Sequence, residues 1–407
     1  MTSVPTATTS PRLAIVLSHA TQYYSPWFRW LGEKTELNFK VFYLSEAGLN
    51  SSLDKKFGTN FAWDVDLTTG YDFEIVPNTA SKPDTLRFNG LRNPELPSRL
   101  REWHPDAILL FGYNYNTHLK LIAWARLHRI PLIFRGDSHL LGRKQLSLLK
   151  GFVLKRLYRQ FSAITYVGNS NRHYFQQLGV PDKKLFFAPH AVNTEHFKPD
   201  NLRDLERAAA LRASLGIAAS TRVVLFAGKL IPEKHPHALL ECFIQLAYPD
   251  TALVFVGDGE EKSTLQARAA VRPEIAVHFL PFANQSEMPS RYLLSDLFVL
   301  PSRSHYETWG LAVNEAMHMG IPCLVSNLVG CQSDLVTDRV TGWVFDASQP
   351  EHLRAKLSEA LSTLTRDRHA LRSAITERIA SYNYDHATTG LLAALKHATS
   401  QVPQPSS

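Results

Sequence analysis

The stretch PSRSHYETWGLAVNEAMHMG, Pro301 to Gly320, decides how this chain is read. The apolar run Leu297 to Leu300 leads straight into it, as a strand buried on both faces would. Polar residues and Gly310 follow. A helix is expected from near Gly310 or Leu311 to near Gly320, with Pro322 restarting the chain. The unit is therefore a strand, a polar turn and a helix whose first N–H groups lack partners. Such a helix start attracts an anion, because the free donors and the helix dipole act together. Two carboxylates belong to the unit, Glu307 before the helix and Glu315 in its second turn. Over their separation a continuous helix turns through about 800°, about 80° away from one face. They are not a matched helical pair. Glu307 either caps the helix or meets a polar group along a ligand. Glu315 is either solvated or accepts hydrogen bonds from two vicinal hydroxyls. Among Leu311, Ala312, Val313 and Ala316, a lone carboxylate is costly without a partner.

Working outward, the second half repeats the strand-then-helix pattern. Strands are expected at 223–226, 252–256, 276–279, 297–300 and 323–325. After the first comes Gly228, with Lys229 and Lys234 close behind, two mobile point charges able to reach a diphosphate. The alternative is two solvated lysines beside a loop. Gly257 and Gly259 follow the next strand but form neither a dinucleotide fingerprint nor a P-loop. The first half shows the same alternation, with strands expected at 13–17, 39–44, 107–111, 132–134, 163–167 and 185–188. Helices are expected at 119–128, 143–160 and 170–178, and residues 45–100 show no regular pattern. The fold class is α/β, with two doubly wound domains facing each other across a cleft. The expected division is a disordered 1–11, a first domain over 12–195, a second over 196–380, a helix crossing back over 381–398, and a disordered tail over 399–407.

The bulk composition agrees. A chain of 407 residues is long for one domain, and 44% apolar content with 22 Phe, 14 Tyr and 7 Trp can fill two cores. The net charge of +7 suits an anionic ligand or surface without naming one. No helix-turn-helix or aromatic-ribbon pattern accompanies it, so nucleic acid is not an expected partner. Cys242, Cys323 and Cys331 form no C-x-x-C pair, which speaks against a disulfide framework or a zinc site. The opening MTSVPTATTSPR does not read as a signal peptide, and no apolar run is long enough to span a bilayer. A cytoplasmic location is expected, with the inner membrane face open as a docking place.

The chain resembles the retaining glycosyltransferases of family 4, which have the GT-B fold of two Rossmann-like domains. The specific part is E-x7-E, here Glu307 and Glu315, with Pro301-Ser302, Gly310-Leu311, Glu315-Ala316-Met317 and Gly320-x-Pro322 around it. The resemblance implies that Glu315 holds the donor ribose hydroxyls and that Glu307 lies near the transferred sugar. It implies that Gly310, Leu311 and Ala312 approach the diphosphate with Gly228, Lys229, Lys234 and Gly257. Lys229 stands where the family commonly has Arg, which keeps the charge but loses the bidentate fork. The hinge-side segment Ala188-Pro-His-Ala-Val-Asn193 has Ala191 and Asn193 where Gly and Asp are common. Leu328-Val-Gly-Cys-Gln-Ser-Asp334 resembles the later G-G-x-x-E segment, with Val329 for Gly and Asp334 for Glu.

In the first half, Phe134-Arg-Gly-Asp-Ser-His139 brings Arg135, Asp137 and His139 out of a strand end together. The resemblance puts His139 near the sugar's 6-position, which makes His139, Glu307 and Lys234 the expected catalytic group. Arg135 and Asp137 either orient a substrate or pair to fix the loop. Tyr23, Tyr24, Trp27 and Phe28 line an acceptor groove or fill the core. Residues 143–159 carry Arg143, Lys144, Lys150, Lys155, Arg156 and Arg159 among Leu and Phe without an acid. They form either a basic amphipathic face for an anionic membrane or an ordinary solvated helix.

The expected reaction moves a hexosyl unit from a UDP- or GDP-linked sugar to a saccharide or lipid-linked acceptor. No cofactor or essential metal is expected beyond the nucleotide-diphosphate sugar itself. A nucleotide-sugar hydrolase or epimerase, or a non-catalytic nucleotide-binding protein at a membrane, are the rival readings.

Overall fold

Strands that are apolar at every position need cover on both faces, and the chain supplies it twice. The computed structural model describes residues 10–49, 52–54, 59–61, 63–143, 146–364 and 368–400. Of the disorder expected at 1–11 and 399–407, residues 1–9 and 401–407 lie outside the described residues, as does Lys144, while Thr399 and Ser400 are helical, the last turn of a helix whose side chains pack back on the first sheet.

The first sheet contains β1 (Arg12–Leu17), β2 (Asn38–Tyr43), β5 (Phe73–Ile75), β6 (Ala107–Phe111), β7 (Leu132–Arg135), β8 (Ala163–Tyr166) and β9 (Leu185–Phe187). Its order is β5-β2-β1-β6-β7-β8-β9, and its pairs are parallel. A separate antiparallel pair, β3 (Ser52–Asp54) and β4 (Thr59–Phe61), lies between β2 and β5 in sequence. Alternate β1 residues serve opposite cores: Ala14 and Val16 join one cluster, Leu13, Ile15 and Leu17 the other. That is why the strand has no polar alternation. The helices of this half are α1 (Tyr24–Lys34), α2 (Leu96–Trp103), α3 (Asn116–Leu127), α4 (Leu148–Tyr158) and α5 (Asn169–Gln177). The expected helix over 143–160 thus starts later, where the Ser147 hydroxyl caps the Lys150 N–H at 3.3 Å.

The second sheet has six strands where five were expected. β10 (Arg222–Ala227), β11 (Thr251–Val256), β12 (Ala276–Leu280), β13 (Leu297–Leu300), β14 (Cys323–Ser326) and β15 (Gly342–Phe345) are ordered β12-β11-β10-β13-β14-β15. The added strand, β15, buries Trp343 and Phe345 on the edge of β14. The remaining helices are α6 (Leu202–Ser214), α7 (Pro236–Leu246), α8 (Lys262–Ala270), α9 (Met288–Leu293), α10 (Leu311–His318), α11 (Gln332–Leu335), α12 (Pro350–Thr363), α13 (Arg368–Ile379) and α14 (Tyr384–Ser400).

The chain ends by returning to the first sheet. α14 packs on β7, β8 and β9, and its Leu391, Ala394 and Leu395 join the core of Leu13 and Ile15. Trp27 donates from Nε1 to the Thr388 hydroxyl at 3.0 Å across this joint. The approach is close enough that a Cβ on Gly390 would stand 1.8 Å from the Phe187 carbonyl oxygen.

In both sheets the strand order reverses beside the first strand, between β1 and β6 and between β10 and β13. Such reversals open a crevice beyond the carboxyl ends of the strands. The two crevices face each other, and this places the site.

Candidate active site

Beyond β10 and β11 the chain turns tightly through Gly228 and Gly257. Beyond β13 it runs through the loop of Glu307 into α10. With Gln22 and Tyr23 after β1, and with Asp137 and His190, these segments enclose a cavity of about 460 Å³. Gly228, Lys229, Lys234, Gly257, Glu307, Gly310, Leu311, Ala312 and Glu315 all line it. A neighbouring cavity of about 480 Å³ shares Lys229, Lys234 and Glu307 and reaches Tyr306.

Gly310 caps α10 with φ +99°, a left-handed conformation that favours glycine. A Cβ there would also stand 2.8 Å from Val329 Cγ1. The turn is therefore tight, and it brings the first N–H groups of α10 to the cavity wall at Leu311 and Ala312. Those groups and the two lysines give this wall its donors and positive charge.

Glu307 stands before the helix. Its Oε2 is ion-paired with Lys234 and accepts from the Ser302 hydroxyl at 2.8 Å. Glu315 lies inside the helix at 3% exposure. Tyr292 donates to its Oε2 at 2.7 Å, while Oε1 is buried without a well-formed hydrogen bond. Burial raises the carboxyl pKa to about 7, against the pull of Tyr292, Tyr23 and Gln285. An acceptor atom left open in a buried wall is costly unless a ligand donor reaches it. The two acids thus differ as the helical offset implied: one is paired with a cation, the other is buried and half-satisfied.

His139 does not line the cavity. It is 3% exposed and sits behind the Glu307 backbone. Its Nδ1 accepts the Leu141 N–H at 3.1 Å, so Nε2 carries the proton and donates to the Glu307 carbonyl at 3.3 Å. Asp137 faces the cavity instead. Thr308 donates to its Oδ2 at 2.8 Å, and His190 Nε2 lies 3.5 Å away. Burial pushes the Asp137 carboxyl up, but His190 and Thr308 outweigh it and hold the pKa below the usual value. Arg135 does not pair with Asp137. Its guanidinium donates to the carbonyls of Ala188 and Pro189 at 2.9 and 3.2 Å and packs over Trp27. The aromatic group divides: Trp27 and Phe28 are core, and Tyr23 lines the cavity.

Tyr292, Gln285, Thr308, His190 and the facing rings of Trp63 and Phe282 also form the wall. Thr308 and His190 lie in segments the sequence had singled out, but nothing local marked Tyr292, Gln285, Trp63 or Phe282, which arrive through the packing of elements distant in the chain. Among the described residues, no group of three or more His, Cys, Asp or Glu side chains gathers as a metal site.

Comparison with known proteins supplies the class. Residues 208–378 match the family profile "Glycosyl transferases group 1", and residues 61–196 match "Glycosyltransferase Family 4". A D-inositol 3-phosphate glycosyltransferase of Segniliparus rotundus is 27% identical over 340 residues, covering 76% of this chain and 73% of that one. A UDP-Gal:alpha-D-GlcNAc-diphosphoundecaprenol alpha-1,3-galactosyltransferase of Escherichia coli is 30% identical over 42% of this chain and 43% of its own. Among solved structures, a glycosyltransferase of Rickettsia africae matches with TM-score 0.74 at 13% identity, over 95% of this chain and 98% of that one. An Anabaena protein in complex with UDP matches with TM-score 0.70 at 16% identity, over 95% and 99%. At such identities the structural likeness shows the fold alone, and that fold is GT-B.

Proposed function

We propose that this chain, which belongs to the glycosyltransferases of group 1 and family 4, moves a hexosyl unit from a UDP- or GDP-linked donor to a hydroxyl of a saccharide, glycolipid or other small acceptor, with retention of anomeric configuration. The observation that carries this reading is Glu315, buried in the wall of a cavity that also holds the start of α10 and two lysines, with Oε1 lacking a well-formed hydrogen bond.

On this reading Glu315 accepts the two ribose hydroxyls, and the N–H groups at Gly310, Leu311 and Ala312 meet the diphosphate. Lys229 and Lys234 stabilise the charge that grows on the leaving diphosphate. Lys234 is already paired with Glu307. A diphosphate competes for that ammonium and frees the Glu307 carboxylate for a sugar hydroxyl. Asp137 takes a hydroxyl from the first-domain side. His139 positions Glu307 through its carbonyl rather than touching the sugar. The acceptor hydroxyl attacks on the face the diphosphate leaves, and a phosphate oxygen takes its proton. Domain contact excludes water during the step.

Relatives are named for GDP-mannose-dependent phosphatidylinositol monomannoside mannosyl transfer and for galactosyl transfer from UDP-Gal to a diphosphoundecaprenol acceptor. These names support a lipid-linked acceptor and a role in glycoconjugate or polysaccharide assembly. Among the described residues no helix is long and apolar enough to cross a membrane. A mass-spectrometric transfer screen with several nucleotide sugars and mixed acceptors tests the reading, and the product's anomeric coupling in NMR tests retention. Hydrolysis or epimerisation without transfer, or nucleotide binding without turnover, would overturn it.

A further inference from the structure

Among the described residues, α4 exposes more large apolar side chains than any other helix. Leu148, Leu149, Phe152 and Val153 are 94%, 75%, 59% and 54% exposed. At about 100° per residue these four occupy one arc of the helix. Leu154 and Tyr158, on the opposite side, are buried in the first domain. The exposed apolar arc occupies the first two turns. The end of the helix is cationic instead, with Lys155, Arg156 and Arg159 exposed. Arg156 lies over the Phe152 ring at 5.7 Å, so cation and apolar surface are continuous. Lys150 and Arg143 add charge at the other end, and no Asp or Glu occurs between Asp137 and Asp182.

Four large apolar side chains in water are unfavourable unless something covers them. The charge decides the occupant. A second copy of this face would bring like charges together, and a neutral apolar partner would leave the cations unused. An apolar helix face with a cationic end and no carboxylates matches the boundary between acyl chains and anionic headgroups.

We propose that α4 docks the protein on an anionic lipid bilayer, with Leu148, Leu149, Phe152 and Val153 entering the headgroup–acyl boundary and Lys155, Arg156 and Arg159 engaging anionic headgroups. The loop before α4 carries Asp137 on the cavity wall and His139 behind it. Docking therefore sets the cavity's first-domain side close to the lipid surface, where an acceptor with a buried chain and an exposed sugar is delivered. This last step rests on the lipid-linked acceptor proposed above; membrane docking itself does not.

The test is sedimentation of the full chain with vesicles of phosphatidylcholine containing about one third phosphatidylglycerol, against pure phosphatidylcholine. Wild type is expected to pellet with the anionic vesicles and to be released by salt. Leu148→Glu with Phe152→Glu, both at exposed positions, abolishes binding. Lys155→Glu with Arg156→Glu weakens it on the order of 10-fold or more. Both variants should keep the wild-type melting temperature and nucleotide affinity. Wild type that stays in the supernatant, or a Leu148→Glu/Phe152→Glu variant that pellets normally, overturns the proposal. So does a wild-type dimer that this variant dissociates, since a second copy would then be the occupant. Vesicle binding needs no turnover, so it can succeed where the transferase reading fails, and the reverse.

Discussion

At the residue scale, Glu315 makes the most direct prediction, because its burial sets the pH response of the site. A carboxyl titrating at about 7 is partly neutral near physiological pH, and the ionised form accepts two hydroxyl hydrogen bonds better. Donor affinity should therefore rise as pH is raised from about 6 to about 8, measured by calorimetry with the nucleoside diphosphate. Stability runs the other way. The folded-state pKa is raised, so this group's contribution is fully present below the ordinary carboxylate pKa and is lost as pH climbs through about 7. Glu315→Gln should abolish both dependences. It should lower nucleotide affinity about 10-fold or more, yet melt higher than wild type at alkaline pH. Full donor binding by this variant would remove the ribose role. His139 gives a second test. Its ring holds the Glu307 carbonyl from behind, so His139→Ala should lower kcat roughly 10-fold, about 1.4 kcal/mol of transition-state stabilisation, while changing nucleoside diphosphate affinity little. His139→Gln, which keeps a donor, should recover part of the loss; normal turnover in His139→Ala would end the assignment.

At the scale of elements, the start of α10 depends on one backbone conformation. Gly310→Ala would set a Cβ at a left-handed position and against Val329 and Leu300. It should cost about 1–3 kcal/mol in chemical denaturation and weaken diphosphate binding further by moving the first N–H groups. An unchanged affinity would show that those groups are not the diphosphate contact. The strand-turn-helix of β13 and α10 was legible because it is local: an apolar run, a polar turn, a glycine and a helical pattern follow one another. β15 was not legible. Gly342-Trp-Val-Phe345 begins on a glycine and is not an unbroken aliphatic run, and its burial comes from β14 and from α12, whose Leu353 and Leu357 share its core. The extent of α4 was overestimated for the converse reason. Its apolar and basic residues continue a helical pattern upstream of Ser147, where the cap stops it.

At the scale of the whole molecule, the two domains meet through polar joints as well as apolar contacts, Val167 sharing a core with Trp309 and Trp63 standing against Phe282. The Asp334 carboxylate accepts the Asn169 N–H at the start of α5 at 2.8 and 3.1 Å, and the Tyr382 hydroxyl donates to it at 3.2 Å. Asn314 donates to the His190 carbonyl at 3.1 Å. Asp334 therefore caps a helix of the opposite domain. Asp334→Ala should loosen closure, seen as a larger radius of gyration in small-angle scattering, with kcat/KM falling and the melting temperature of each domain little changed. An unaltered scattering profile would show that the joint does not hold the domains together. The substitution of Asp for the Glu of the related motif was visible in the sequence, but its cross-domain partner was not. The sequence by itself determined two parallel α/β sheets and the order of the groups around the helix start, because continuous apolar strands and a helix boundary are local consequences of residue order. Only the tertiary structure decided that Tyr292, Gln285 and Tyr23 surround Glu315, that Asp137 rather than His139 faces the cavity, and that Arg135 props the backbone of Ala188 and Pro189. Those facts arise where strand ends from two sheets converge, and residue spacing along one chain carries no measure of that distance.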